Sequence, residues 1–122
     1  MHEVAVAQRI VEVLADTAGR HGGGCVKVAR LELGALTCID PETLTFAFDV
    51  ACRGTCAEGC RLDITRLPLL MSCRGCGCQG ERPGPMEPCV ACGAIGGEVL
   101  QGREFRLITL DLDEGLRPEA MA

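Results

Sequence analysis

Two short cysteine turns, Cys73-Arg-Gly-Cys76 and Cys89-Val-Ala-Cys92, lie a dozen residues apart and constrain this chain more than any other feature. Each turn can aim both sulfurs at one point, and the glycine behind each, Gly77 and Gly93, permits a tight backbone. Four thiolates close a tetrahedral shell around Zn²⁺ and leave no position for water. The spacing therefore predicts structural rather than catalytic zinc at Cys73, Cys76, Cys89 and Cys92. A redox pair or a disulfide competes for one such turn alone; two turns together argue against both. In the sequence Cys76-Gly-Cys78 either thiol could serve, and the two-residue spacing favours Cys76.

The turns sit in a stretch, residues 68–99, that is rich in Gly, Pro and Cys and shows no periodicity. So short a segment has too little apolar surface to fold alone, and metal would hold it together. Periodic segments surround it. Val4, Ala7, Ile10, Val11, Leu14 and Ala18 share one face of a helix that starts near residue 2 and stops at Gly22–Gly24. Residues 26–36 alternate as a strand, with a change of phase at Ala29-Arg30 that suggests a bulge. Asp40 and Pro41 mark the N-cap and first position of a second helix, with Leu44, Phe48 and Ala51 on one face. Two further strands follow, in CRLDITRLP and REFRLITLDLDE. The expected class is α+β: two helices packed on a small three-stranded mixed sheet, with an inserted zinc-ribbon-like domain built on four cysteines. The expected boundaries are 1–67 and 100–114 for the main domain, 68–99 for the insert and 115–122 for a frayed tail.

Composition narrows the function. With no Trp, no Tyr and three Phe in 122 residues, the core must come from Val, Leu, Ile and Ala. A net charge of −5 argues against nucleic acid and anionic lipid as partners. No apolar run reaches the length of a membrane span, and no signal-like segment opens the chain, so the reading is cytoplasmic. In that compartment ten cysteines point to metal before disulfides. Cys52, Cys56 and Cys60 are spaced by four, which would form a stripe on a helix; Gly54 and Gly59 argue against one, so they read as small buried side chains. Cys25 and Cys38 have no motif, and His21 reads as an exposed residue. There is no Ser-His-Asp set and no GxxxxGK phosphate loop, so a binding protein is expected rather than an enzyme.

The chain opens with Met1-His2-Glu3. A terminal amine, the amide nitrogen of residue 2 and Nδ1 of a histidine there can chelate one ion in adjacent five- and six-membered rings. The Glu3 amide nitrogen, its carboxylate or another side chain could complete the set. Such nitrogen-rich coordination suits Ni(II) or Cu(II). His2 is too large a second residue for ordinary methionine removal, so the amine is that of Met1.

This opening, with RLELGALTCIDPETLTFAFDV, AEGCRLDI, the paired knuckles and EVLQGREFRLITLDL, resembles the HypA/HybF family of hydrogenase nickel-maturation factors over nearly the whole chain. The resemblance implies a nickel-binding domain with nickel at Met1, His2 and Glu3, and a zinc domain with zinc at Cys73, Cys76, Cys89 and Cys92. It implies delivery of Ni(II) to the large subunit of [NiFe] hydrogenase with a HypB-like GTPase, and in some organisms service to urease; it leaves a homodimer open. Cys52, Cys56, Cys60 and Cys78 depart from the family's usual pattern. Two other classes compete. A zinc-ribbon interaction module would bind zinc without nickel transfer, and a thiol oxidoreductase would show reversible disulfides.

Overall fold

A computed structural model of the chain describes residues 2–113. Its tail, 115–122, and Met1 lie outside the described residues. Contacts divide the chain into two units. One comprises the residues up to Leu31, Ile39–Ile64 and those from Leu107; the other comprises Glu32–Cys38 and Thr65–Arg106.

The first unit starts from helix α1, His2–Arg20. Its apolar stripe buries Ala7, Ile10, Val11, Leu14 and Ala18. Val4, expected on that face, is 50% exposed; it stands in the first turn, ahead of Ala7, the first buried position of the helix. Helix α2, Pro41–Cys52, packs against α1. Asp40 caps it, accepting from the Thr43 amide at 3.0 Å, and Pro41 occupies the first turn, where no amide partner is needed. The buried stripe of α2 is Leu44, Phe48 and Cys52, a clean four-residue period. Ala51, expected there, is only half-buried, and Cys52, expected as a small buried side chain, holds the core position one residue on. Each fully buried Leu or Phe contributes roughly 1.5–3 kcal/mol.

Strand β1, Cys25–Gly34, is the middle of a sheet ordered β2-β1-β6, with β2 at Arg61–Leu67 and β6 at Phe105–Asp113. The last strand thus returns to the first sheet as expected. β1 ends at Gly34, before a 3₁₀ turn over Ala35–Thr37, so the strand stops two residues earlier than its pattern suggested. Its change of phase is present: Val26 is buried, then Ala29, Leu31 and Leu33. The charged side chains of β1 pair across to β6. Arg30 meets both Asp111 oxygens at 3.1 Å, Arg106 binds Glu32, and Lys27 reaches Asp113 at 3.9 Å. Partner numbers rise as β1 numbers fall, so these strands are antiparallel. Such exposed pairs add little stability each, about 0–1 kcal/mol, but they fix register.

The second unit holds a sheet that the sequence did not announce. β3 (Leu70–Cys73) is its centre, with β4 (Gln79–Glu81) and β5 (Gly97–Gln101) antiparallel on either side. These strands run three to five residues, too short for alternation to show. Leu69, Met71, Cys73 and Cys89 are its buried apolar side chains around residues 69–89, with Arg82 the buried charged one. Gly34 is pressed against backbone: its amide donates to the Glu104 carbonyl at 2.7 Å, and the Leu36 amide donates to the Gly102 carbonyl at 2.8 Å. A Cβ on Gly34 would lie 2.1 Å from that Gly102 oxygen and 2.7 Å from the Glu104 nitrogen.

Gly34→Ala must therefore push two backbone segments apart, at a cost of about 1–3 kcal/mol. Gly80→Ala, where an added Cβ meets nothing within 4 Å, is the matched control. Urea unfolding of the zinc-loaded proteins checks this: the Gly34 variant should shift its midpoint down clearly more than the Gly80 variant. Equal midpoints would contradict the close approach.

Candidate metal centre

The two cysteine turns repeat one local structure. In the first, the Gly75 amide donates to Cys73 Sγ at 3.3 Å and the Gly77 amide to the Cys73 carbonyl at 3.0 Å. In the second, the Ala91 amide donates to Cys89 Sγ at 3.4 Å and the Gly93 amide to the Cys89 carbonyl at 2.8 Å. Gly77 and Gly93 both adopt the left-handed conformation, φ 77° and 80°, which closes each turn and which a Cβ would resist. The Arg74 amide ties the first turn to the segment leaving the second, donating to the Gly96 carbonyl at 3.2 Å.

These turns converge. The four sulfurs of Cys73, Cys76, Cys89 and Cys92 all lie within 4.8 Å of one another. Cys73 Sγ is 3.5 Å from Cys92 Sγ, and Cys76 Sγ is 3.8 Å from Cys89 Sγ. A tetrahedron with Zn–S bonds of ~2.3 Å has edges of ~3.8 Å, so the donor set and its spacing fit a four-thiolate ion such as Zn²⁺. It is the only such group among the described residues. Cys73 and Cys89 are buried and Cys76 and Cys92 exposed. Cys78 stays outside the cluster, its thiol 3.9 Å from the Gln79 carbonyl oxygen while its own carbonyl accepts from the Cys73 amide.

The electrostatics call for a cation. The amides of Cys76 and Gly75 hold the Cys73 thiol down to about 6. The Cys92 and Ala91 amides likewise lower Cys89. The Cys78 amide pulls Cys76 down too, but the neighbouring sulfurs and desolvation outweigh it and push that thiol up to about 12. Like charges this close oppose full ionisation unless a positive ion sits among them.

At the other sequence-predicted site, His2 is exposed and Glu3 half-buried at the start of α1, while Met1 lies outside the described residues. Glu3 Oε2 accepts from the Asp40 amide at 3.3 Å, across 37 residues of sequence. Its own backbone amide and then that of Asp40 hold the Glu3 carboxyl below its usual range. Asp40 was legible as a cap; its amide as the seat of Glu3 was not, because nothing local signals a contact between two helix starts.

The spare thiols divide by burial. Cys25, Cys38 and Cys78 are exposed, Cys56 is intermediate, and Cys52 and Cys60 are buried, as small apolar side chains would be. Burial pushes Cys52 up to about 12 and raises Cys60. Near neutral pH Cys52 is then held as the unreactive thiol. Brief maleimide labelling of the zinc-loaded protein, read by peptide mass spectrometry, should modify Cys25, Cys38 and Cys78 and leave Cys52 and Cys60 intact. Labelling of Cys52 as fast as Cys38 would contradict its burial.

Comparison with known proteins places this geometry. A family model described as "Hydrogenase/urease nickel incorporation, metallochaperone, hypA" matches residues 1–112. The hydrogenase maturation factor HypA of Geobacter metallireducens is 37% identical over 113 residues, covering 93% of this chain and all of that protein. The HypA of Cereibacter sphaeroides is 39% identical over 114 residues, covering 92% and 99%. The solution structure of the Ni metallochaperone HypA from Helicobacter pylori shares the fold at a TM-score of 0.62 and 18% identity, over 90% of this chain and 96% of that one. A second solution structure of a HypA protein shares it at 0.65 and 20% identity, over 92% and 96%. With both its cysteine turns and its opening residues inside the matched span, the chain belongs to the HypA family of hydrogenase/urease nickel-incorporation metallochaperones.

Proposed function

We propose that this chain takes up Ni(II) as cargo and hands it on during maturation of [NiFe] hydrogenase, with zinc as a resident structural ion. The observation that carries the reading is family membership over residues 1–112, a span that includes Met1-His2-Glu3 and all four cysteines of the cluster. Nickel is assigned to the Met1 amine, His2 and Glu3, and zinc to Cys73, Cys76, Cys89 and Cys92. The 68–99 insert is assigned to zinc, the helical portion to nickel. The protein acts by binding and transfer, without catalysing a covalent step, in the cytoplasm. Its partners are a HypB-like GTPase and the hydrogenase large subunit, with urease a further client. No helix among the described residues is long and apolar enough to cross a membrane.

The engagement of the Glu3 carboxylate by the Asp40 amide supports a division of labour. His2 gives its ring and backbone nitrogen, and Glu3 contributes through its backbone while its side chain anchors the helix start. Such a site has an open edge, where an acceptor's ligands can replace its own one at a time. A closed four-thiolate site has none, which suits zinc to holding shape. Exposed Val90 (94%), Met86 (72%) and Ile95 (52%) favour a second reading, in which the zinc unit docks a partner through these side chains without nickel transfer.

Nickel titration by calorimetry, with zinc content held constant, separates the two. His2→Ala should weaken nickel binding by about a hundredfold or more, while Glu3→Gln, which still offers an oxygen to Asp40, should lose about tenfold or less. Affinity should fall steadily on acidification, because protons compete for the same nitrogens. Wild-type affinity in His2→Ala would remove the terminal site.

Zinc has its own check. Cys73→Ser should abolish stoichiometric zinc and erase the native amide pattern of β3–β5, while helical signal from α1 and α2 persists. In the wild-type protein zinc should be retained near neutrality and lost on acidification, because protons compete with the ion for the four thiolates. Full zinc in Cys73→Ser would overturn the assignment.

A further inference from the structure

Arg82 is the one charged residue among the described residues that the fold buries, at 7% exposure. Burying a guanidinium is costly unless its donors are satisfied and its charge offset. Arg82 forms no ion pair among the described residues, and its one side-chain hydrogen bond there runs from Nη1 to the Glu87 carbonyl oxygen at 3.1 Å. Its backbone is fixed as well, the amide donating to the Leu69 carbonyl at 2.9 Å. The Glu87 amide in turn donates to the Gly84 carbonyl at 3.2 Å, so residues 82–87 fold back on themselves around this side chain. Pro83, Pro85 and Pro88 stiffen the same loop and deny it amide donors. The Glu87 carbonyl that receives the guanidinium lies two residues before Cys89, the buried first ligand of the second turn. A divalent ion on four thiolates leaves net negative charge in this unit, and a buried cation there is of the sign that offsets it.

We infer that Arg82 is a positioning residue for the metal centre: its guanidinium holds the Glu87 carbonyl, and so sets Cys89 and the second cysteine turn against the first. This rests on the zinc assignment of the preceding section. Groups that orient metal ligands commonly change metal retention ten- to a hundredfold when removed.

The test measures zinc release from the full-length, zinc-loaded protein to excess chromophoric chelator, with zinc content determined first and Co(II)-substituted spectra recorded alongside. Arg82→Met keeps much of the apolar stem and removes donors and charge; it should release zinc about ten- to a hundredfold faster and shift the cobalt d–d bands. Arg82→Lys keeps the charge without the planar fork and should fall between, with four-thiolate cobalt bands retained. Arg103→Met removes an exposed arginine of the same unit, outside both cysteine turns, and should release at the wild-type rate. If Arg82→Met takes up no zinc, the lysine variant decides: faster release supports the role, and the wild-type rate overturns it. Wild-type release and spectra in Arg82→Met, or equal acceleration in Arg103→Met, would likewise overturn it. A wild-type protein that holds no zinc would instead overturn the zinc assignment and this inference with it.

Discussion

Four sulfurs within 4.8 Å of one another are stable together as thiolates only around a cation, and the second unit is arranged on that condition. Its strands are three to five residues long, and its apolar core between β3 and the second turn amounts to Leu69 and Met71 beside two of the cysteines themselves. Hydrophobic burial on that scale does not offset the chain entropy of a loop-rich segment. Backbone amides aimed at Cys73 and Cys89 prepare negative charge that suits a metal ion, so local hydrogen bonding and metal binding would act together.

The first unit is held by different physics. Leu14, Leu31, Leu44 and Phe48 are almost wholly out of water, and the two helices pack on one another through apolar side chains. No metal is needed for such a core. What this unit does supply is a fixed start for α1: the Glu3 carboxylate sits on the amide of Asp40, whose own side chain caps α2. Two helix beginnings are thereby tied through one carboxylate and one cap, in a region where helix dipoles favour negative charge.

Features whose signal is local could be read from the residues alone. Cysteine spacing, the Asp40-Pro41 start and the four-residue stripes of the helices each fall within a few positions, and the turn glycines Gly77 and Gly93 do also. Where the reading failed, the deciding contact was distant or the residue carried two meanings. Val4 fits the α1 stripe but stands ahead of Ala7, its first buried position. Helical spacing after Phe48 admits both Ala51 and Cys52, and packing buries Cys52 and leaves Ala51 half-buried. β3, β4 and β5 are too short to alternate visibly and exist because they pair with one another. The Glu3–Asp40 and Arg82–Glu87 contacts carry no motif at all; the second lies in a proline-rich stretch that looks like linker.

The cysteine cluster is not symmetric. Cys73 and Cys89 face inward and carry amide donors on sulfur, while Cys76 and Cys92 face solvent. A bound ion would therefore have a sheltered hemisphere and an open one. Solvent-borne competitors, whether protons, chelators or oxidants, would meet the outer pair first, and the inner pair would be last to let go. Loss of an ion from such a centre would start on its solvent-facing side, at Cys76 and Cys92, rather than at Cys73 in β3 or at buried Cys89.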